Sequence, residues 1–179
     1  MLFAWVMGCG SGSGELRSQP AAPTLDLTAP ASDGGVVWTD LATLFPEQGP
    51  ALPAPLASLV PGMGAEDAAV VLEAAREPGV TIAREELGGH VVLHSVLRDW
   101  TDVGVSLVLE PDAQRLLQVN LSLPATGALA ALGDRWGAPE VATGAEGRAV
   151  YRWRRDGAPW RAELDALAGE RAVLVFERP

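Results

Sequence analysis

Lysine is missing from this 179-residue chain, and cysteine, isoleucine, asparagine and tyrosine occur once each, as Cys9, Ile82, Asn120 and Tyr151. All 13 basic residues are therefore arginine, which closes off Schiff-base and lysine-nucleophile chemistry. One cysteine excludes an internal disulfide framework and any zinc site built from several thiolates. Arginine is outnumbered by 23 acidic residues, leaving a net charge of −10. Nucleic-acid binding rests on clustered cations that neutralise phosphates, so nucleic acid is not an expected partner. Past Gly8 no stretch approaches the ~20 apolar residues of a membrane-spanning helix, and no residue pattern calls for a cofactor.

What is present begins at the amino end. Leu2-Phe3-Ala4-Trp5-Val6 is apolar, and Met7-Gly8 lead into Cys9. Val6-Met7-Gly8-Cys9 resembles the lipobox of bacterial lipoproteins, in which a small residue precedes a Cys that is acylated on sulfur, exposed by signal cleavage and then N-acylated. The resemblance covers four residues. It implies lipidation of Cys9, membrane attachment through that anchor, and a cell-envelope address. Each buried methylene contributes about 0.8 kcal/mol, so two or three acyl chains hold where one holds only marginally. Signal segments open with a positively charged region; no Arg precedes Cys9, and an in-frame start further upstream is the expectation that would supply one.

Residues 1–8 thus read as a signal-like apolar segment and 9–35 as a tether. Gly10-Ser11-Gly12-Ser13-Gly14, then Pro20, Pro23, Pro30 and Gly34-Gly35, offer too little apolar surface to offset the entropy of ordering. Gly rather than Asp after the Cys implies, through the same lipoprotein resemblance, the outer membrane, with the protein facing the periplasm or the cell surface.

From Val36 to Pro61 the prolines at 46, 50, 53 and 55 enforce extended and turn conformations, giving a wrapping segment with a short helix near Asp40–Phe45. Ala68, Val71, Leu72 and Ala75 then recur at helical spacing, predicting a helix over Glu66–Arg76 that Pro78-Gly79 stops. Strands are expected at Val80–Glu86 and His90–Leu97, joined by a Gly88-Gly89 hairpin, and at Val103–Leu109 and Arg115–Leu123. Val103, Val105, Leu107 and Leu109, with Leu117, Val119, Leu121 and Leu123, should face a core. Ser106, Gln118, Asn120 and Ser122 should face water. A second helix over Thr126–Trp136 ends at Gly137-Ala138-Pro139, and three strands follow at Arg148–Arg154, Trp160–Leu164 and Arg171–Glu177. The roughly 60-residue offset between Leu72 and Trp136 predicts an internal duplication. The expected fold is α+β: two tandem helix-plus-antiparallel-sheet units, 36–123 and 124–179, with helices packed on one face.

Leu59-Val60-Pro61-Gly62-Met63 resembles the Gly-Met motif that opens a helix in the outer-membrane assembly lipoprotein E family and the tandem-repeat β-lactamase inhibitor proteins. Leu132 with Trp136-Gly137-Ala138-Pro139 resembles the motif that closes one there. Gly64 stands where those families carry Thr or Ser, so a side-chain N-cap is missing. This resemblance implies fold more than function.

His90 and His94 are the only histidines. On a strand they lie about 13 Å apart, too far to share a zinc ion that needs nitrogens at ~2.0–2.1 Å; both belong on the wet face. His94-Ser95 with Asp99 or Asp102 invites a triad, yet strand neighbours point to opposite faces and no Gly-x-Ser-x-Gly elbow is present. Asp99-Trp100-Thr101-Asp102 should serve a turn and offers too few oxygens for calcium. Glu85-Glu86 and Glu110/Asp112 read as solvated, turn-proximal charges. Tyr151 and Trp153 alternate with Arg152 and Arg154, and Trp160, Ala162 and Leu164 with Arg161 and Glu163. Arg152, Arg154, Arg161 and Glu163 therefore either pair across strands or form an arginine-rich face for an acidic partner.

The expected function is a non-catalytic protein-binding or structural module of an envelope lipoprotein. Its partner would be an envelope protein, met by the sheet's wet face or an exposed edge. The alternative is a hydrolase or transferase with a site where His90 or His94 meets a carboxylate.

Overall fold

Proline and glycine punctuate this chain into short elements, and a computed structural model shows how they assemble; residues 41–47, 49–144, 147–165 and 170–179 are described. Cys9, the signal-like segment and the tether lie outside the described residues. By its internal contacts Val36–Pro179 is one compact unit. Helices α1 (Leu41–Leu44), α2 (Ala65–Ala75) and α3 (Ala128–Trp136) accompany strands β1 (Ala83–Leu87), β2 (His90–Leu97), β3 (Trp100–Leu109), β4 (Leu116–Pro124), β5 (Glu140–Thr143), β6 (Ala149–Trp153), β7 (Arg161–Asp165) and β8 (Arg171–Glu177).

The expected pair of tandem helix-plus-sheet units does not form. The molecule is mostly a single eight-stranded antiparallel sheet, ordered β1-β2-β3-β4-β8-β7-β6-β5. The reason is the seam. β4 and β8 pair from Gln118↔Glu177 to Pro124↔Arg171, so two strand edges that would otherwise stand open are joined, and one apolar layer runs beneath β2–β4 and β6–β8. Leu107 and Leu121 on one side of the seam and Leu174, Phe176 and Leu164 on the other are buried in the same core. The short strand β5, which pairs with β6 from Glu140↔Arg152 to Thr143↔Ala149, was not foreseen; at four residues it is too brief to show a period.

Both longer helices lie on the inner face. α2 buries Ala68, Leu72 and Ala75, with Glu66 and Asp67 in its first turn, where carboxylates favour the positive end of the helix dipole. Its N-cap Gly64 makes no side-chain bond, and the sheet supplies the anchorage instead. The Leu116 amide donates to Met63 O at 2.8 Å, and the Arg98 amide donates to Ala75 O at 2.8 Å. The α2 helix is thus tied to β4 at its start and to the β2–β3 turn at its end. The Arg76 guanidinium donates to Val80 O at 2.7 Å, which holds residues 80–82 off the sheet and starts β1 at Ala83.

The wrapping segment closes the other end. Phe45 meets Trp136 at 5.2 Å between ring centroids, and Trp136 meets Trp153 at 5.6 Å and Phe176 at 6.1 Å, all edge-on, the arrangement that aromatic quadrupoles favour. The indole N–H groups reach backbone carbonyls: Trp136 to Pro46, Trp153 to Gly137, and Trp160 to Leu59 at 3.1, 2.9 and 3.1 Å. Leu44, Phe45, Leu52, Leu56 and Leu59 are buried as a result.

Two bulges set the register. Leu97 pairs with Trp100 but Val96 with Gly104, and Val108 pairs with Gln118 but Leu109 with Leu116. The second bulge inserts Leu117 as an extra residue, so Leu116 is buried and Leu117 is 39% exposed, contrary to the inward position its period assigned. An uninterrupted alternation cannot reveal a bulge, because the extra residue shifts every later side chain by one face. β3 also begins at Trp100, so only Asp99 of the expected turn residues lies in the turn, at φ 63°. The β1–β2 hairpin follows expectation: Leu87 faces His90 across Gly88 and Gly89, both at positive φ.

Candidate binding face

Among the described residues, α2, α3 and the wrapping segment all lie on one side of the sheet, and no described helix lies on the other. Strand alternation places His90, His94, Ser106, Gln118, Asn120 and Ser122 outward on β2–β4, as their period predicted. On β8, β7 and β6 it places Arg171, Val173, Val175 and Glu177, then Arg161, Glu163 and Asp165, then Val150 and Arg152. Val92 and Val150 also point outward yet are 5% and 3% exposed, and neither belongs to the inner core.

The arginines find partners in the strands beside them. Arg152 Nε donates to Glu163 Oε2 at 2.7 Å, and Arg161 Nε donates to Glu177 Oε1 at 2.9 Å. These follow the strand register, in which Arg152 faces Glu163 and Arg161 faces Glu177. Arg148 lies 3.5 Å from Asp165. The hydrogen bond to Glu163, and then its charge, raise the Arg152 guanidinium above its ordinary pKa. Cross-strand pairs of this kind contribute roughly 0.2–1 kcal/mol each. Of the four residues singled out from the sequence, three are engaged this way; Arg154, just past β6, is exposed and makes no hydrogen bond or ion pair among the described residues.

Arg171 sits at the seam. Its Nη2 donates to Asp102 O and Ser122 O, each at 2.8 Å, tying β8 to β3 and β4. Burial lowers its pKa, and Asp102 opposes that shift.

On the β1–β3 side a trio forms that the sequence did not reveal. His94 Nδ1 and Ser106 Oγ share a hydrogen bond of 2.8 Å, and His94 Nε2 lies 3.7 Å from Glu85 Oε2. Ser95, the residue next to His94, is buried on the opposite face, and Asp99 and Asp102 take no part. The β2–β3 bulge explains why. Continuing the Leu97–Trp100 pairing would set Val103 opposite His94; the bulge sets Ser106 there. A histidine between a hydroxyl and a carboxylate matches the polarity of a hydrolytic triad. Acyl transfer needs in addition N–H donors converging beside the hydroxyl, whereas Ser106 lies mid-strand with its neighbouring amides directed into the ladder between β2 and β4. The trio therefore links three strands across the face. His90, opposite Leu87, does not join it.

Among the described residues no group of three or more His, Cys, Asp or Glu side chains could hold a metal ion, and no helix is long and apolar enough to cross a membrane. The chain matches no family model, no curated protein and no solved structure.

Proposed function

We propose that the folded part is a non-catalytic binding module of an envelope lipoprotein, held to the membrane through Cys9 and presenting the open face of its sheet to an envelope protein. The observation that carries this reading is that, among the described residues, every buried helix residue belongs to the inner core, while the outward side of the strands offers a mixed row of hydroxyls, amides and small apolar side chains. The face is favoured over the edges. β1 carries Arg84, Glu85 and Glu86, and β5 has four residues; charge and brevity are how natural sheets discourage strand addition.

Two measurements test the reading. Alkyne fatty acid should label the intact chain and not the Cys9→Ala variant; equal labelling of both removes the anchor. A photo-crosslinking residue at Asn120 should trap a discrete partner in envelope preparations, while the same group at Val70, 69% exposed on α2, should trap none. Equal trapping at both positions removes the face.

A hydrolase is the second reading, favoured by Glu85, His94 and Ser106. A fluorophosphonate probe that labels the native chain but not Ser106→Ala would establish it, and absence of labelling would leave the binding module.

A further inference from the structure

We propose that the pocket at the β6–β7 turn is an oxyanion site, taking a carboxylate or phosphate group at the strand ends, beside the rim of the open face. The pocket is half open, has a volume of about 270 Å³, and is lined by Arg154, Arg155, Arg161, Asp156, Trp160 and Pro179 among others. That volume is below the ~300–1,000 Å³ of pockets for whole drug-sized ligands, so it suits a single charged group. Three of the 13 basic residues fall within 154–161. In a chain of net charge −10, such a local reversal focuses anions where the rest of the surface repels them.

The walls are held in place before any ligand arrives. Trp160, which contributes to the lining, is 2% exposed, and its indole N–H donates to Leu59 O at 3.1 Å, which anchors the residue. The Ala158 amide donates to Arg155 O at 3.1 Å, closing the turn. The Arg155 stem lies so close to Gly49 that a Cβ there would come within 3.0 Å of Arg155 Cδ. Arg161 meets Glu177 through Nε and Nη2, so its Nη1 is not spent on that pair. Arg154 has no partner among the described residues. Guanidinium groups match the planar, two-oxygen geometry of carboxylate and phosphate, where ammonium groups act as point charges. Asp156 works against anion binding, and that supplies a test which misfolding cannot imitate.

The experiment follows the Trp160 indole N–H by NMR in the full chain at constant ionic strength, titrating inorganic phosphate in one arm and acetate in the other. At least one arm should give a saturable shift at Trp160, and the tighter arm identifies the group the site takes. Arg154→Ala should weaken that binding about tenfold or more, the loss of one charge-assisted hydrogen bond. Asp156→Asn should tighten it, and Arg84→Ala, an exposed arginine on β1, should leave it unchanged. No saturable shift in either arm overturns the proposal. So does an affinity that Arg154→Ala and Asp156→Asn leave at the native value. Small ions report on this pocket alone, so failure here leaves the open-face reading standing, and loss of a protein partner leaves this site standing.

Discussion

On β2–β4 the polar outward side chains are Ser106, Gln118, Asn120 and Ser122 beside two histidines, whereas on β6–β8 most outward side chains are charges, set among Val150, Val173 and Val175. The two halves belong to one sheet and bury one core, but they satisfy their outer faces differently. Gln118 Nε2 donates to Asn120 Oδ1 at 2.6 Å along β4, while Arg152 and Arg161 reach across to Glu163 and Glu177. The contrast bears on where a partner can sit. Covering the charged half desolvates ion pairs, a cost that can exceed what the pairs return; covering the neutral half desolvates amides and hydroxyls that a partner can replace bond for bond. Under the proposed binding reading, the β3–β4 half is where a partner would cost least to seat, with the arginine pairs as its rim.

The largest expected effect tests whether the halves are truly joined. Phe176→Ala, at a fully buried position on β8, should cost about 3–5 kcal/mol, and Leu107→Ala on β3 about 2–5 kcal/mol. In urea each should move one common transition; two separate transitions, each sensitive to only one substitution, would break the single-sheet account. A middle-sized effect is confined to the β5–β6 corner. A Cβ on Gly144 would stand 2.4 Å from Val150 Cγ2, so Gly144→Ala should cost about 1–3 kcal/mol. The further change Val150→Ala should return part of that loss; no recovery would mean the crowding is not at Val150. The smallest effect sharpens the comparison itself. Double-mutant cycles should give a coupling of about 0.5–1.5 kcal/mol for His94 with Ser106 and about 0.2–1 kcal/mol for Arg152 with Glu163. Raising salt should erode the second, since ion pairs at a sheet surface are screened.

Much of this architecture was legible because period and punctuation are local. Ala68, Leu72 and Ala75 announced α2 to within a residue at each end, Gly137 marked the close of α3, and the alternation on β3 and β7 assigned inside and outside correctly. The cross-strand reading of Arg152, Arg161 and Glu163 was open as well, since two strands of alternating charge joined by a turn bring such residues opposite. Leu117 and the His94 trio were not legible, and both failures trace to bulges, whose extra residues leave no mark on composition. β5 was missed because four residues bearing Val141 at 64% exposure show neither an apolar face nor a length.

Composition alone determined that this chain would have no lysine chemistry, no internal disulfide and no multi-thiolate metal site of its own, and its hydrophobic spacing determined two helices and most strands. Tertiary structure decided that the strands join through β4 and β8 into one sheet, that His94 meets Ser106 and Glu85 rather than its neighbour Ser95, and that three arginines line one pocket. Those outcomes depend on register between segments far apart in the chain. Register is settled by the packing of a shared core, which no single stretch of residues encodes.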